Sequence, residues 1–157
     1  MALVTSQQLE NYYQIYKNKE VTFTKDVNNA LGLNAKQIFL KCLGEQWPCI
    51  LYSSSLESAK VILNLDQKSM EKIKKANNLI SLRFSFTTQD SVDPMAFFVP
   101  GKITGFNPYK KDNPNLMFLA INFTKRPPDN LIEILGTLLE TALVSQKRKD
   151  ERIHFHN

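Results

Sequence analysis

Between residues 37 and 124 the chain carries six apolar segments, at 37–43, 49–53, 59–65, 79–87, 96–106 and 116–124. Each is rich in Ile, Val, Leu, Phe or Tyr and bounded by turn residues, the signature of β-strands. In Leu82-Arg83-Phe84-Ser85-Phe86-Thr87 the alternation is strict, so Leu82, Phe84 and Phe86 are expected to face a core, and Arg83 and Ser85 to face away from it. Breaks are expected at 44–48, 89–94 and 107–114, the last two polar and proline-bearing. None is long enough to separate domains. A helix is expected between the third and fourth strands, capped by Asp66 or Ser69, with Met70 and Ile73 on its apolar side. Three strands, a helix and three strands rule against a simple alternating parallel sheet. The expected fold is mainly β with flanking helices (α+β), built on a small, largely antiparallel barrel of about six strands.

Helical signals flank this region. From Ser6 to about Lys17, Leu9, Tyr12, Tyr13 and Tyr16 recur at three- and four-residue steps, with Thr5 or Ser6 able to cap the first turn. Thr24 can cap a short helix carrying Val27, Ala30 and Leu31, which Gly32 would end in a left-handed conformation. Near the other end, Pro127 and Pro128 suit a first helical turn and Asp129 adds favourable negative charge there. Leu131, Ile134, Leu135, Leu138, Leu139, Ala142 and Leu143 then form a broad apolar face. Burying one such side chain stabilises by roughly 1.5–3 kcal/mol, so this apolar C-terminal helix is expected to pack on the barrel or on another chain. Gly136 costs helix stability by about 1 kcal/mol relative to Ala, which suggests a close backbone contact there.

Catalytic signals are sparse. No Gly-x-x-x-x-Gly-Lys-Ser/Thr or Gly-x-Gly-x-x-Gly loop is present, which argues against ATP or NAD chemistry. Ser53-Ser54-Ser55 lacks a Gly-x-Ser-x-Gly elbow and reads as a turn or strand end. His154 and His156, the only histidines, would supply just two metal ligands. Cys42 and Cys49 lack partners at ligand spacing and are expected to be buried thiols. The protein is therefore expected not to be an enzyme, and to hold no metal or cofactor. Apolar runs such as Met117-Phe118-Leu119-Ala120-Ile121 fall short of the roughly 20 residues that cross a bilayer, and the amino terminus does not read as a secretory signal. No membrane insertion and a cytoplasmic location are expected.

A net charge of +5 allows attraction to phosphates. Much of the basic excess lies at 68–75, around Glu71 on the expected amphipathic helix, and at 147–152. Within the second cluster Arg148 and Arg152 are four residues apart, so two planar guanidinium groups could grip one anionic nucleotide through paired bonds to phosphate or to the O6/N7 edge of guanine. The same charges also complement the negative end of a preceding helix. The residues alone leave both readings open.

The stretch Arg126-Pro127-Pro128-Asp129-Asn130-Leu131-Ile132-Glu133-Ile134-Leu135-Gly136, followed by Leu139-Glu140 and Lys147-Arg148-Lys149-Asp150-Glu151-Arg152-Ile153, resembles the junction of two-domain PilZ receptors of spirochaetes. Asn34-Ala35-Lys36-Gln37-Ile38-Phe39-Leu40-Lys41 and Pro48-Cys49-Ile50-Leu51-Tyr52-Ser53-Ser54-Ser55 resemble the N-terminal domain of the same family. The resemblance implies a PilZ-like barrel over 1–146, and over 147–157 a linker and the start of a C-terminal PilZ domain. It further implies a bacterial second-messenger receptor for cyclic di-GMP, of the kind that regulates motility, with Arg148 and Arg152 contacting phosphate and guanine. The Asp/Asn-x-Ser-x-x-Gly strand motif of that family is missing. This chain is therefore expected to be one domain of a longer protein, carrying an incomplete half-site and binding cyclic di-GMP weakly or not at all. Expected partners are the C-terminal PilZ domain and a downstream protein. Alternative readings are a basic nucleic-acid-binding domain, or a protein-interaction domain using the 131–143 helix face.

Overall fold

The computed structural model describes residues 5–24, 28, 32–87, 93–134, 136, 137 and 140. Its strands are β1 (Val21–Thr22), β2 (Phe39–Cys42), β3 (Glu45–Pro48), β4 (Ile50–Ser54), β5 (Ser58–Asn64), β6 (Leu79–Phe86), β7 (Met95–Lys110) and β8 (Asn113–Phe123). Helix α1 (Ser6–Tyr16) precedes them, α2 (Gln67–Lys75) joins β5 to β6, and helical backbone resumes at residues 129–134. The strand order is β1-β4-β5-β8-β7-β6-β2-β3, and every pairing is antiparallel.

Alternation sets which face is buried. On β6, Ile80, Leu82, Phe84 and Phe86 enter the core, where they meet Leu40, Val99, Ile103, Leu119 and Ile121 from neighbouring strands. Arg83 faces away as expected. Ser85 does not reach solvent, because the 32–34 segment covers it: Asn34 donates its backbone N–H to the Ser85 carbonyl at 2.8 Å and its amide to Ser85 Oγ at 3.0 Å. Short-range alternation assigns a side to that serine; only a segment 51 residues away decides its burial.

The expected break at 44–48 is strand for most of its length. Leu43 and Gly44 have φ of 49° and 81°, so they form a two-residue hairpin turn of the kind that matches strand twist, and β3 pairs with β2 from Cys42↔Glu45 to Phe39↔Pro48. Only Cys49 separates β3 from β4, and its N–H donates to the Ile38 carbonyl at 2.9 Å. β3 and β4 are thus two ends of one bent strand that pairs first with β2 and then with β5. That bridge links the two halves of the strand order and joins seven strand passages into an antiparallel half-barrel. The sequence-based expectation of six lacked the two-residue β1, which joins β4 at Val21↔Ser54.

The expected break at 107–114 is also paired backbone. β7 pairs with β6 only as far as Lys102, and β5 contacts β8 only from Leu116 to Asn122, so the far end of the β7–β8 hairpin is a two-stranded ribbon closing at Lys110↔Asn113. Pro108 and Pro114 lie on this ribbon, where a missing N–H removes no bond to a third strand.

The helices seal the ends. In α1 the Thr5 hydroxyl accepts from the Gln8 N–H at 3.1 Å while Gln8 Oε1 accepts from the Thr5 N–H at 2.9 Å, a reciprocal cap. Leu9 is buried, and Tyr12, Tyr13 and Tyr16 pack half-buried on the core. Asp66 caps α2 through the Ser69 N–H at 2.7 Å, and Ile73 anchors it. The helix expected after Thr24 falls mostly outside the described residues, as does the apolar C-terminal helix beyond its first turns.

Candidate functional site

The place where the chain leaves the half-barrel is the part of the fold nearest in sequence to the expected arginine pair. Pro127 is buried, and the Ile132 N–H donates to the Pro128 carbonyl at 2.9 Å, starting the helix where the proline pair predicts. Leu131 and Ile132 are fully buried against the core, and Ile134 packs half-buried beside them. Ile132 was not on the expected apolar face; because Leu131 and Ile132 are both buried, the first turn sinks more deeply than a surface helix would. Gly136 is buried as well, and a Cβ there would sit 3.1 Å from Tyr12 Cγ, so this helix and α1 touch through a residue without a side chain.

Just before the prolines, Arg126 reaches across to α1. Its Nη1 lies 2.8 Å from Glu10 Oε2, and its guanidinium stacks over the Tyr13 ring at 5.0 Å. Hydrogen bonds from Gln14 and then from Arg126 hold the Glu10 carboxyl below the usual carboxylate range. Residues 126–136 are therefore held by α1 as well as by the core. No motif marked Arg126, Glu10 and Tyr13 in advance; the available signal was an arginine abutting Pro-Pro. Arg148, Arg152, His154 and His156 all lie outside the described residues.

Other sequence candidates resolve into structure. Ser53, Ser54 and Ser55 are buried and organise the β4–β5 turn. Ser55 Oγ accepts the N–H groups of Glu57 and Ser58, each at 3.1 Å, and Ser54 Oγ donates to the Ser55 carbonyl at 2.8 Å. Ser53 donates to Glu20, whose other oxygen Lys60 approaches at 3.3 Å. A cavity of about 360 Å³ lies between this turn and the end of α1, lined in part by Tyr13, Lys17, Glu20, Glu57, Ser58 and Asn122. Two carboxylates against one lysine make it a poor phosphate site.

The α2 lysines are partly spoken for. Lys72 pairs with Glu45 at 2.8 Å and Lys74 lies 5.9 Å from the Phe106 ring centre. Cys42 and Cys49 are free and buried, and burial pushes the Cys49 thiol up to about 12. Among the described residues no three His, Cys, Asp or Glu side chains gather as a metal site, and no helix is long and apolar enough to cross a membrane.

Known proteins share this architecture. Residues 7–142 match the PilZN3 domain model. A protein of Treponema denticola (strain ATCC 35405), described as a cyclic di-GMP binding protein, is 40% identical over 153 residues, covering 98% of this chain and 49% of the relative. The chain thus spans about half the length of that curated relative. The crystal structure of the Borreliella burgdorferi PlzA protein, in complex with c-di-GMP, superposes with a TM-score of 0.66 at 23% identity, over 89% of this chain and 57% of that one. The structural likeness carries the fold; the family match and the 40% relative carry kinship. With a family model matched over residues 7–142 and a relative 40% identical along 98% of the chain, this chain belongs to the PilZN3 domain family.

Proposed function

We propose that this domain is the N-terminal part of a non-enzymatic, cytoplasmic cyclic di-GMP receptor. In this reading Arg148 and Arg152 belong to the linker of residues 147–157 that follows the domain, and clamp the ligand against a C-terminal PilZ barrel. The observation that carries the reading is the seating of residues 126–136: an ion pair, a stacked guanidinium, a glycine-on-tyrosine contact and two fully buried side chains give the outgoing segment a fixed origin. Support comes also from the Treponema relative, itself described as a cyclic di-GMP binding protein. Two arginines alone offer bonds to charged groups of roughly 1.5–3 kcal/mol each, against an association cost of about 4–15 kcal/mol. A second surface must complete the site.

Calorimetric titration of cyclic di-GMP tests this directly. The 157-residue chain is expected to show no saturable micromolar binding, a chain extended through a C-terminal PilZ domain to bind, and the extended Arg148→Ala/Arg152→Ala variant to lose that binding. Binding that survives the double substitution would overturn the clamp.

One observation favours the nucleic-acid alternative. On the outer face of β2, β6 and β7, Phe39, Arg83 and Phe98 are in register, Arg83 lies 5.8 Å from the Phe39 ring centre, and Lys41 lies 5.0 Å from that of Phe98. Rings interleaved with cations suit stacked bases. Binding through this face would weaken steeply with salt, whereas a guanine clamp discriminates cyclic di-GMP from cyclic di-AMP at fixed salt. The 131–143 face is less suited to an external partner, since Leu131 already lies wholly inside this domain.

A further inference from the structure

The outer surface of β4, β5 and β8 carries an apolar patch that neither the exit helix nor the cation-bearing face uses. Ile50, Ile62 and Phe118 stand in register across the three strands. Tyr52 meets the Phe118 ring edge-on at 5.3 Å, and Tyr109 stacks on it from the β7–β8 ribbon at 6.4 Å. Ile50 is 64% exposed, Tyr109 45% and Tyr52 41%. Beside Ile50 and Ile62 the patch dips into a cavity of about 330 Å³, walled by Pro48, Leu63, Leu116 and Lys36.

Two features mark the patch as built. The β4–β5 register shifts between Leu51 and Ser53, which makes Tyr52 the extra residue of a bulge, and the β7–β8 register shifts between Pro108↔Met117 and Lys110↔Asn113, where the surplus residues lie on β8 opposite Tyr109. Irregularities of this kind disturb a ladder locally, and both lie where a tyrosine meets the same phenylalanine. The Tyr52 carbonyl still accepts the Phe23 N–H at 2.8 Å, so the bulge leaves that group satisfied.

The rim decides the partner. Lys36 lines the cavity and Lys110 and Lys111 follow Tyr109 in the chain; none of the three makes an ion pair among the described residues, no carboxylate lines the cavity, and Glu20 is already held by Ser53 and Lys60. An apolar floor with a positive rim complements an apolar anchor flanked by carboxylates. A concave, lysine-edged cavity takes one inserted side chain, which a flat lipid surface does not supply. We propose that this patch docks an acidic segment of a partner protein through an aliphatic or aromatic anchor seated between Lys36 and Ile50. This surface is independent of the arginine clamp, and its failure leaves that reading untouched.

Random peptides displayed on phage, selected against the 157-residue chain and counter-selected against Ile50→Asp/Tyr109→Asp, test the proposal. Enrichment of peptides with a large apolar residue beside Asp or Glu is expected. Synthetic versions should bind the Ile50→Asp chain about tenfold more weakly, as for loss of an interface anchor, and the Lys36→Glu/Lys111→Glu chain several-fold more weakly, with affinity falling as salt rises. Far-UV circular dichroism of each variant establishes that it folds, and the lysine substitutions, at exposed sites, keep the test decisive if the apolar ones do not. Several outcomes would overturn the docking site: no enrichment, enrichment of basic peptides, or binding indifferent to both variants. So would phosphatidylserine vesicles captured in place of peptides, or a dimer in sedimentation that Ile50→Asp dissociates.

Discussion

At the scale of single residues, the most informative group is Glu20 with its partners. The Ser53 hydroxyl, and after it Lys60, hold the Glu20 carboxyl below the ordinary carboxylate range, while partial burial opposes them. A carboxyl with a depressed folded-state pKa contributes stability that is present above its unfolded-state pKa and lost as pH falls through the folded one. Ser53→Ala removes the largest cause of the depression. Urea midpoints recorded down from neutral pH are therefore expected to fall less steeply below about pH 5 for Ser53→Ala than for the wild type. An equal acid slope in both proteins would show that Glu20 gains nothing from the hydroxyl. The pairing was not legible in the sequence, because Glu20 and Ser53 are 33 positions apart and neither belongs to a motif. The serine run was legible only as a turn. Its hydroxyls satisfy the backbone of the β4–β5 connection, which local chemistry suggests, but the carboxylate arrives from the segment after α1.

Among the elements, those with strong local period were read correctly and those governed by turns were not. α1, α2, the start of the exit helix and β4 to β8 follow from apolar spacing, caps and Pro-Pro. β3 escaped because Glu45-Gln46-Trp47-Pro48 has neither alternation nor β-branched residues, and because the turn before it places a leucine at φ 49°, where Asn or Gly is the usual occupant. That choice has a measurable cost. A non-glycine residue in the left-handed region loses roughly 1–2 kcal/mol, and Leu43, being 63% exposed, recovers little by burial. Leu43→Asn is expected to stabilise the protein by about 0.5–1 kcal/mol, since Asn tolerates that conformation better. A lower urea midpoint for Leu43→Asn would mean that the leucine contacts something the hairpin needs. The paired backbone at 107–115 was missed for a different reason: proline reads as a break unless one knows that the third strand has already ended.

For the molecule as a whole, the bent β3–β4 strand and the buried exit helix bind α1, the sheet and the outgoing segment into one core. Leu131 is fully enclosed by it, so Leu131→Ala is expected to cost about 2–5 kcal/mol. The loss should appear as a single shifted transition, with Trp47 fluorescence and far-UV circular dichroism coinciding. Separate transitions would mean that the exit segment frays independently, which would remove the fixed origin on which the clamp depends. The candidate site was legible only in part. The expected arginine pair lies outside the described residues, the burial of Leu131 and Ile134 follows the apolar spacing, and the Arg126–Glu10–Tyr13 tie was invisible because Arg126 lies more than a hundred residues from its partners.

That tie has a topological consequence. Because Glu10 meets Arg126 and Tyr12 meets Gly136, the first helix and the last described turn lie side by side, so residues 5–137 taken alone would begin and end on one side of the half-barrel. Domains with neighbouring termini tolerate circular permutation and insertion. Spliced into a surface loop of an unrelated host, such as a split fluorescent protein, this domain would hold the two flanking ends together and leave its sheet faces outward.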